Sequence, residues 1–314
     1  MAKYLVTGGA GFIGCNLVRY LLAKGHEVVV LDNFSTGKRE NLAGVTGVMR
    51  LVEGDIRDRA AVDACLAGCA AIFHEAALGS VPRSVAEPVL SHDVNVNGTI
   101  TVLEAARAAG VKRVIFAASS SAYGDQKQSP KHEGMVPMPI SPYASSKVAC
   151  EMYLRAYAAV YGMETLCLRY FNVFGPHQDP MGAYAAVIPA FVSRLLRGQS
   201  PVVYGDGEQS RDFCYVDNVC EANCLAATAP AAVCDGRPLN IACCQATSLN
   251  QILTILRDLL GTDVRAVYEP PRPGDVKDSL AAIDAARETI GYQPRVFFRE
   301  GLTRAIGWYR ENLS

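Results

Sequence analysis

Hydrophobic residues in the first half of the chain form short runs, separated by stretches in which apolar positions recur at helical spacing. The short runs predict strands at residues 4–7, 28–31, 51–53, 71–77, 113–118 and 164–168. Helical spacing is clearest before Gly25, over residues 89–109 before Gly110, and from Ser141 to Gly162. Strands and helices that alternate at this length predict an α/β fold with a doubly wound parallel sheet.

The alternation loosens after residue 172, where glycine, proline and aromatic residues accumulate. We therefore predict an N-terminal domain at 1–172 and a smaller C-terminal α/β lobe at 173–314, with some chain passing back to the first domain. Amphipathic patterns near residues 217–229, 248–260 and 298–312 predict helices that pack around this lobe. A short strand and turn are expected from Val202 to Gly207.

Composition limits the location and the partners of the protein. Its 314 residues are 50% hydrophobic, which is enough to bury a large core. A formal net charge of -1 gives no electrostatic attraction to nucleic acid or to an anionic membrane. The sequence shows neither the ~20 uninterrupted apolar residues of a spanning helix nor the apolar core of a secretory signal. We expect a cytoplasmic protein without a nucleic-acid or membrane partner.

The eleven cysteines are irregularly spaced. Cys65 and Cys69 lie one helical turn apart, Cys243 and Cys244 are adjacent, and no Cys-x-x-Cys pair occurs. Buried, reduced thiols are the expectation for such a set. Because the sequence shows no His/Cys cluster with ligand spacing, we predict no metal site.

A glycine-rich turn joins the first strand to the first helix. Gly8, Gly11 and Gly14 recur at every third position, and Phe12 and Ile13 begin the apolar pattern of the helix. Glycines in this context let the backbone approach a pyrophosphate that lies on the helix N-terminus. Strand, turn and helix together therefore predict a dinucleotide-binding site.

Asp32 ends the second strand, 18 residues past Gly14. An acidic side chain at this distance suits the two ribose hydroxyls of NAD and repels the additional phosphate of NADP, so NAD is the predicted cofactor. Asp55 follows the third strand. It could contact the adenine amino group, or it could instead cap a helix over residues 58–67.

Tyr143 and Lys147 lie one helical turn apart, behind Ser141 and Pro142, which suit an N-cap and a first helical residue. A lysine cation near a phenol favours the phenolate. The pair therefore predicts a tyrosine that accepts or returns a hydroxyl proton, although the same spacing also occurs by chance.

Ser119, Ser120 and Ser121 follow the fifth strand, at the edge where open α/β sheets place ligands. A serine there could share the proton of a substrate hydroxyl, but serines also end strands without such a role. His74 is predicted to be a packed or hydrogen-bonded strand residue rather than a base. Asn95 is predicted to orient the catalytic region.

Arg211 and Arg272 lie in predicted loops with aromatic residues nearby. Guanidinium groups match phosphate oxygens bidentately, which suggests a second anionic ligand. Solvated surface arginines are the alternative, and the sequence leaves both open.

The chain resembles the extended short-chain dehydrogenase/reductase family over its whole length, and within that family it is most similar to the nucleotide-sugar 4-epimerases. The resemblance is carried by residues 7–14, Asp32-Asn33, residues 54–56, Ser119, Tyr143 with Lys147, residues 169–172 and Arg211-Asp212. It implies a Rossmann fold with tightly held NAD, which oxidises the C4 hydroxyl of a sugar to a ketone and returns the hydride to the other face. Family members that remove water or carbon dioxide carry an acidic residue between the positions of Ser119 and Tyr123, and this chain carries none there.

The resemblance also implies roles for individual residues. Tyr143 would be the base, Lys147 would hold Tyr143 and the ribose, and Ser119 would share the proton. Ser119 lies four residues before Tyr123-Gly124, as the family's catalytic serine or threonine does, but which serine of the triplet acts stays open.

On the substrate side, the resemblance implies that Tyr204 stacks on uracil, that Arg211 and Arg272 grip the diphosphate, and that Asp275 holds a ribose hydroxyl. It also implies a homodimer formed through helices around residues 90–109 and 146–161.

Residues 77–84 and 178–187 are similar to the subgroup that prefers N-acetylated UDP-hexoses. Ala186 and Ser279 stand where galactose-type enzymes commonly carry asparagine and tyrosine, so this pocket has room for an acetamido group. The resemblance therefore implies epimerisation of UDP-N-acetylglucosamine at C4, with UDP-glucose as a further substrate. Epimerisation of UDP-glucose or UDP-glucuronate is the alternative. A non-catalytic NAD-binding regulator is an alternative of a different class.

Motifs and resemblance together define two sets of predicted contacts. The NAD contacts are Gly8, Gly11, Phe12, Ile13, Gly14, Asp32, Asn33, Ser35, Gly37, Asp55, Ile56, Ala76, Ala77, Asn95, Tyr143, Lys147 and Tyr170. The contacts to a UDP-hexose or UDP-N-acetylhexosamine are Gly79, Ser80, Ser119, Ser120, Ser121, Tyr143, Asn172, Gln178, Ala186, Val187, Tyr204, Arg211, Arg272, Asp275 and Ser279.

Overall fold

The computed structural model describes residues 1–179, 187–271 and 278–313. Within these ranges the strands are β1 (Lys3–Thr7), β2 (Glu27–Asp32), β3 (Met49–Glu53), β4 (Ala71–His74), β5 (Arg113–Ser119), β6 (Glu164–Tyr170), β7 (Val173–Phe174), β8 (Val202–Tyr204), β9 (Ser210–Asp212), β10 (Cys214–Tyr215), β11 (Asp235–Ile241), β12 (Ala246–Ser248), β13 (Val267–Glu269) and β14 (Asp278–Ser279).

The helices alternate with these strands. They are α1 (Phe12–Ala23), α2 (Arg59–Asp63), α3 (Val81–Ala86), α4 (Pro88–His92), α5 (Gly98–Ala108), α6 (Pro142–Tyr161), α7 (Val187–Leu196), α8 (Val216–Thr228), α9 (Leu249–Leu260), α10 (Asp284–Ile290) and α11 (Phe298–Leu313). A π turn spans Asp93–Asn97, and 3-10 turns span Arg39–Leu42, Ser120–Tyr123 and Ala231–Val233.

The central sheet has seven parallel strands in the order β3-β2-β1-β4-β5-β6-β11, which confirms the predicted doubly wound sheet. The strand order reverses between β1 and β4. In open α/β sheets, ligands bind outside the carboxyl ends of the strands at such a reversal. The topology therefore places a binding crevice beyond Thr7 and His74.

Both faces of β1, β2, β4, β5 and β6 are largely buried, as the continuous apolar runs of these strands require, whereas the residues of the edge strand β3 are exposed or half-buried. Leu5 and Val29 are fully or almost fully buried on the face that α5 and α6 cover. Val6 and Val30 are fully buried on the opposite face, which α1 and α8 cover. Successive residues of a strand point to opposite faces, so one short apolar run supplies both cores.

The seventh strand comes from the C-terminal part of the chain. β11 pairs with β6 in parallel, and the preceding helix α8 packs on α1 and β5. Some chain thus passes back to the large sheet after residue 172. The proposed lobe boundary at that residue stays a prediction.

The ends of α6 follow local sequence signals. Ser141 Oγ accepts a hydrogen bond from Ala144 N at 3.2 Å, and Pro142 occupies the first turn. Gly162 ends the helix in the left-handed conformation at φ 65°, which glycine adopts without a Cβ penalty. Both ends lie where the sequence predicts them.

Several predicted elements differ in their bounds. The predicted strand over 71–77 ends at His74, because the N–H of Ala76 donates to Thr7 Oγ1 at 3.3 Å instead of continuing the ladder. The helical pattern over 89–109 contains the π turn between α4 and α5. The alternative role of Asp55 as a helix cap is wrong, because Asp58 caps α2 by accepting from Ala60 N at 2.9 Å.

The C-terminal lobe contains three small sheets. In one of them β9 lies between antiparallel β12 and parallel β14. This pairing places Ser279 opposite Arg211. The other two are the parallel pairs β7–β10 and β8–β13.

The helices predicted near residues 217–229, 248–260 and 298–312 are α8, α9 and α11. None of the helices in the described ranges has both the length and the apolar character needed to span a membrane. The eleven cysteines are free thiols, of which Cys244 is exposed and the others are buried or half-buried.

Candidate active site

A cavity of about 880 Å³ opens at the carboxyl ends of β1, β2, β4 and β5. This volume lies in the ~300–1,000 Å³ range of small-molecule sites. The predicted contacts that line it are Gly8, Gly11, Phe12, Ile13, Gly14, Asp32, Asn33, Ser35, Ile56, Ala76, Ala77, Gly79, Ser80, Tyr143, Lys147, Tyr170 and Gln178.

The glycine turn brings the N-terminus of α1 to this cavity. Gly8 has φ +68°, and the N–H of Gly11 donates to Gly8 O at 3.0 Å. A Cβ on Gly14 would lie 2.1 Å from the same carbonyl oxygen, so only glycine fits there. The N-cap of α1 is Gly11, which has no side chain to cap the first N–H groups. These N–H groups suit the pyrophosphate of a dinucleotide.

Two backbone hydrogen bonds fix the carboxylate of Asp32 at the cavity wall. Its Oδ2 accepts from Ala10 N at 2.9 Å, and its Oδ1 accepts from Phe34 N at 2.8 Å. Each carboxylate oxygen keeps further lone pairs, which suit ribose hydroxyls. Lys38 also lines the cavity but forms an ion pair with Asp179 at 3.0 Å. The acceptor oxygens of Asp32 therefore fit the unphosphorylated ribose of NAD.

Tyr143 and Lys147 lie one turn apart on α6 and both line the cavity. Lys147 is 3% exposed, and its Nζ donates to Ala117 O, at the end of β5, at 2.7 Å. The same Nζ lies 6.0 Å from the centroid of the Tyr143 ring. The carbonyl thus holds the amino group of Lys147 near the ring of Tyr143.

The π turn carries Asn95, whose side chain links two cavity walls. Asn95 Oδ1 accepts from Leu78 N at 2.8 Å, and its Nδ2 donates to Ser146 Oγ at 2.9 Å. Ser146 Oγ in turn donates to Tyr143 O at 2.8 Å. Asn95 is 2% exposed and is absent from the cavity lining. Asn95 thus links Leu78 to the start of α6, and its role in orienting the catalytic region stays a prediction.

Ser119 accepts hydrogen bonds from its own triplet. Its Oγ accepts from Ser121 N at 3.2 Å and from Ser121 Oγ at 2.9 Å. With both acceptor positions used, the hydroxyl proton of Ser119 is available for donation. This supports Ser119 as the serine that shares a substrate proton, and that role stays a prediction.

Other predicted contacts lie away from the cavity lining. They are Gly37, Asp55, Asn95, Ser119, Ser120, Ser121, Asn172, Val187, Tyr204, Arg211 and Ser279. Ala186, Arg272 and Asp275 lie outside the described residues.

Three of these residues have clear local reasons for their positions. Gly37 packs on the backbone of Ala10, where a Cβ would come within 2.8 Å. Asp55 accepts bidentately from Arg57, which lowers the pKa of Asp55 to about 2. Asn172 Nδ2 donates to Asp212 O at 2.9 Å and so ties the chain after β6 to β9.

The sequence analysis missed Glu75. It follows β4, lines the cavity and accepts from the hydroxyl of Tyr170 at 2.8 Å. Burial raises the pKa of Glu75 to about 7. A charged residue directly after a buried strand, at the predicted ligand edge, was the available signal.

Some further missed residues follow β2, and others come from distant parts of the chain. These cavity-lining residues include Thr36, Lys38, Asn41, His177, Asp179, Trp308 and Asn312. Trp308 and Asn312 belong to α11, and no local pattern in that helix shows that it reaches the cavity.

His74 is a buried, hydrogen-bonded strand residue, as predicted. Its Nδ1 lies 2.7 Å from Thr7 Oγ1 and its Nε2 lies 3.0 Å from Thr99 Oγ1. Burial lowers the pKa of His74 to about 3, so the ring is neutral at physiological pH. Among the described residues, no group of three or more His, Cys, Asp or Glu side chains could hold a metal ion.

A comparison with family models supplies the assignment. The model described as "NAD dependent epimerase/dehydratase family" matches residues 4–242. The chain belongs to the NAD-dependent epimerase/dehydratase family. The predicted family and the prediction of an NAD-dependent enzyme are thereby confirmed.

Individual family members are similar over nearly the whole chain. A UDP-glucose 4-epimerase of Mycolicibacterium smegmatis is 40% identical, over 98% of this chain and 98% of its own length. The solved UDP-N-acetylglucosamine 4-epimerase from Methanobrevibacter ruminantium, in complex with UDP-N-acetylmuramic acid, is 40% identical with a TM-score of 0.92, over 99% of this chain and 98% of that chain. The UDP-glucose 4-epimerase of Thermus thermophilus, solved with NAD, is 36% identical with a TM-score of 0.88, over 99% of each chain.

Proposed function

We propose that this member of the epimerase/dehydratase family interconverts UDP-N-acetylglucosamine and UDP-N-acetylgalactosamine through a transient 4-keto sugar. The observation that carries the proposal is that one cavity holds both halves of the necessary chemistry. The glycine turn and Asp32 fit NAD, and Tyr143 with Lys147 supplies a proton acceptor beside it.

The residues of the chain handle the proton and the position of the sugar. Tyr143 accepts the proton of the C4 hydroxyl, and Lys147 stabilises the phenolate form of Tyr143. NAD, held by the glycine turn and Asp32, would supply the acceptor for the hydride of C4, and the same hydride would be available for the other face once the keto sugar has turned over in the cavity. Ser119 donates a hydrogen bond to the C4 oxygen. Tyr143 then gives the proton back, so no external oxidant or base is consumed.

The choice of an acetylated sugar has support of its own. Ser279 is a small residue opposite Arg211 on the neighbouring strand, so the proposed diphosphate contact and the proposed gate lie side by side. A solved relative at 40% identity is named for UDP-N-acetylglucosamine.

Epimerisation of UDP-glucose is the second candidate. A relative at 40% identity that spans nearly the whole chain is named for this activity. UDP-glucuronate would additionally need residues that bind its carboxylate, and we assign none. A redox-sensing regulator without catalysis has no need for the Tyr143/Lys147 pair in its binding cavity.

Product analysis after incubation with each UDP-sugar, without added NAD, tests the proposal. We expect interconversion of the acetylated pair at higher kcat/KM than the glucose pair, and loss of activity in Tyr143→Phe. A strong preference for UDP-glucose would overturn the choice of substrate. Unchanged activity in Tyr143→Phe would overturn the mechanism.

We also propose a homodimer through α5 and α6. Val160 and Tyr161 at the end of α6, and Met152 and Tyr153 in its middle, are exposed. A cluster of exposed apolar side chains on one helix is typical of an interaction surface. Sedimentation of the wild-type protein and of a Val160→Glu variant would test the contact, and a monomeric wild type would contradict it.

A further inference from the structure

Glu75 is a carboxyl group in the cavity that the mechanism above leaves without a role. It lines the cavity together with Ala76, Tyr143 and Lys147. It follows His74, at the point where the strand order of the sheet reverses. Open α/β sheets bind their ligands in the crevice at such a reversal.

Hydrogen bonds fix the orientation of this carboxyl group. Asn223 Nδ2 donates to Val219 O at 2.9 Å and to the Tyr170 hydroxyl oxygen at 2.8 Å. The Tyr170 proton therefore points to Glu75 Oε1, which accepts it at 2.8 Å. This chain from α8 through β6 holds the carboxyl group against the cavity wall.

The sheet order indicates which half of the dinucleotide lies near Glu75. Across the carboxyl edge the order is Asp32 after β2, the glycine turn after β1, Glu75 after β4, and Ala117 with bound Lys147 on β5. Adjacent strands are ~4.8 Å apart. We propose that Asp32 holds the adenosine ribose and that the glycine turn holds the pyrophosphate. The nicotinamide half then lies on the other side of the turn, toward Glu75.

Among the ionisable groups around Glu75, Lys147 acts on its pKa by charge. Burial raises the pKa of Glu75 to about 7, while the Tyr170 hydrogen bond and Lys147 act in the opposite direction. Tyr170 and Cys220 are buried with pKa values raised well above their ordinary values, so both are neutral.

Two further titratable neighbours among the described residues are His74, which precedes Glu75, and Tyr143. Burial lowers the pKa of His74 to about 3, so His74 is neutral at physiological pH. Tyr143 lies in the same cavity as Glu75 and carries the substrate proton in the proposed mechanism. Around neutral pH, Glu75 can therefore change its charge inside the cavity.

We infer that Glu75 sets how readily the bound NAD is reduced, and this inference rests on the proposed function. The oxidised nicotinamide ring is cationic, and it loses that charge when it takes the hydride, with its two electrons, from C4 of the sugar. The hydroxyl proton goes to Tyr143. A carboxylate near the ring stabilises the oxidised cofactor, and protonation of Glu75 removes that stabilisation.

Two variants separate charge from hydrogen bonding. Glu75→Gln removes the charge and keeps the shape, while Tyr170→Phe removes the hydrogen bond and keeps the charge. The midpoint potential of the protein-bound cofactor is measured by mediated redox titration below and above neutral pH, without any sugar. The near-ultraviolet absorbance of the reduced cofactor reports its redox state.

Above neutral pH we expect Glu75→Gln to hold a roughly tenfold higher ratio of reduced to oxidised cofactor than wild type at the same potential, about 30 mV for this two-electron couple. Below neutral pH the two proteins should agree. Well above neutral pH, Tyr170→Phe should have the same midpoint potential as wild type. The pH at which its potential changes with the charge of Glu75 should be higher than in wild type, because loss of the hydrogen bond raises the pKa of Glu75. The wild-type curve should itself steepen near neutral pH, because reduction then also brings a proton onto Glu75.

Equal potentials in wild type and Glu75→Gln, or a difference that does not depend on pH, would overturn the inference. Identical midpoint potentials of Glu75→Gln and Tyr170→Phe at every pH would also overturn it. Such a result would indicate that Glu75 acts only through its hydrogen bond to Tyr170. If Glu75→Gln does not fold, a wild-type curve of constant slope overturns it. Each of these results leaves the proposed function intact, whereas a purified protein without dinucleotide would contradict the proposed function itself.

Discussion

The buried hydroxyl of Ser84 accepts the backbone N–H of Tyr143 at 3.0 Å. Ser84 Oγ donates its own proton to Val81 O at 2.6 Å, so its orientation is fixed. The first turn of a helix leaves N–H groups without intrahelical partners. Pro142 has no N–H and Ser141 satisfies Ala144, which leaves the Tyr143 N–H for Ser84. The α3 segment thus sets the position of Tyr143, the proposed proton acceptor, through its backbone.

We predict that Ser84→Ala lowers kcat about tenfold with little change in KM. Removal of the acceptor leaves a partly buried N–H without its partner, which costs ~1–3 kcal/mol, and lets the start of α6 shift. Steady-state kinetics and urea unfolding measure the two effects.

Ser145→Ala is the matched control for this prediction. Ser145 is an exposed serine in the same turn of α6, so its removal should change neither kcat nor stability by a measurable amount. Wild-type kcat in Ser84→Ala would contradict the positioning role of Ser84.

Gly14→Ala should abolish retention of NAD. The added Cβ would lie 2.1 Å from Gly8 O and 2.8 Å from Gly9 Cα, so the backbone of the turn must move. Because we propose that this turn presents its N–H groups to the pyrophosphate, we expect at least a tenfold loss of bound dinucleotide. The dinucleotide content of the purified protein measures this directly.

Gly307→Ala serves as the control for the glycine turn. Gly307 lies within α11, and a Cβ there would meet no heavy atom within 4 Å. Alanine is the better helix former by up to ~1 kcal/mol, so this variant should be slightly more stable and should keep its cofactor. A Gly14→Ala protein with a full complement of NAD would refute the role assigned to the turn.

Features set by neighbouring residues in the chain were predictable from the sequence. The strand, glycine turn and helix α1 follow one another directly, and the ends of α6 follow from Ser141 and Gly162. Parallel pairing and the position of the cavity follow from the alternation of strands and helices. The periodicity of a segment reports its own burial, which is sufficient for these features.

Features set by distant partners were not predictable. The hydrogen bond that orients Glu75 comes from Tyr170, 95 residues away. The π turn at 93–97 adds a residue to the helical repeat, and bonds of Asn95 to Leu78 and Ser146 accompany it. Hydrophobic spacing averages over such a turn and cannot show it. The approach of α11 to the cavity likewise depends on packing that no local pattern records.

Protonation of His74 should contribute to acid unfolding. Burial lowers the pKa of His74 from 6.5 to about 3, so between these values the unfolded chain binds a proton that the folded chain does not. The free energy of unfolding therefore falls as pH falls below ~6.5, by up to ~1.4 kcal/mol per pH unit from this residue.

The difference between wild type and His74→Gln isolates this contribution. Urea unfolding at several pH values, with saturating NAD throughout, should show the variant losing less stability than wild type on acidification. His177, whose pKa is also lowered by burial, to about 4, is present in both proteins and cancels. Parallel pH profiles for the two proteins would show that His74 does not contribute.

Ser279→Tyr should impair the acetylated substrate more than UDP-glucose. Ser279 is half-buried on β14, opposite Arg211, in the lobe that we propose binds the UDP-sugar. A phenol in place of a hydroxymethyl group takes up the space that we assign to the acetamido group. Steric selection of this kind changes kcat/KM ratios by ~10–200-fold. We expect Ser279→Tyr to lower the kcat/KM for UDP-N-acetylglucosamine, relative to that for UDP-glucose, by a factor of ~10–200. Ser279→Ala keeps the space and should retain the wild-type ratio, whereas equal losses on both sugars in Ser279→Tyr would remove Ser279 from the gate.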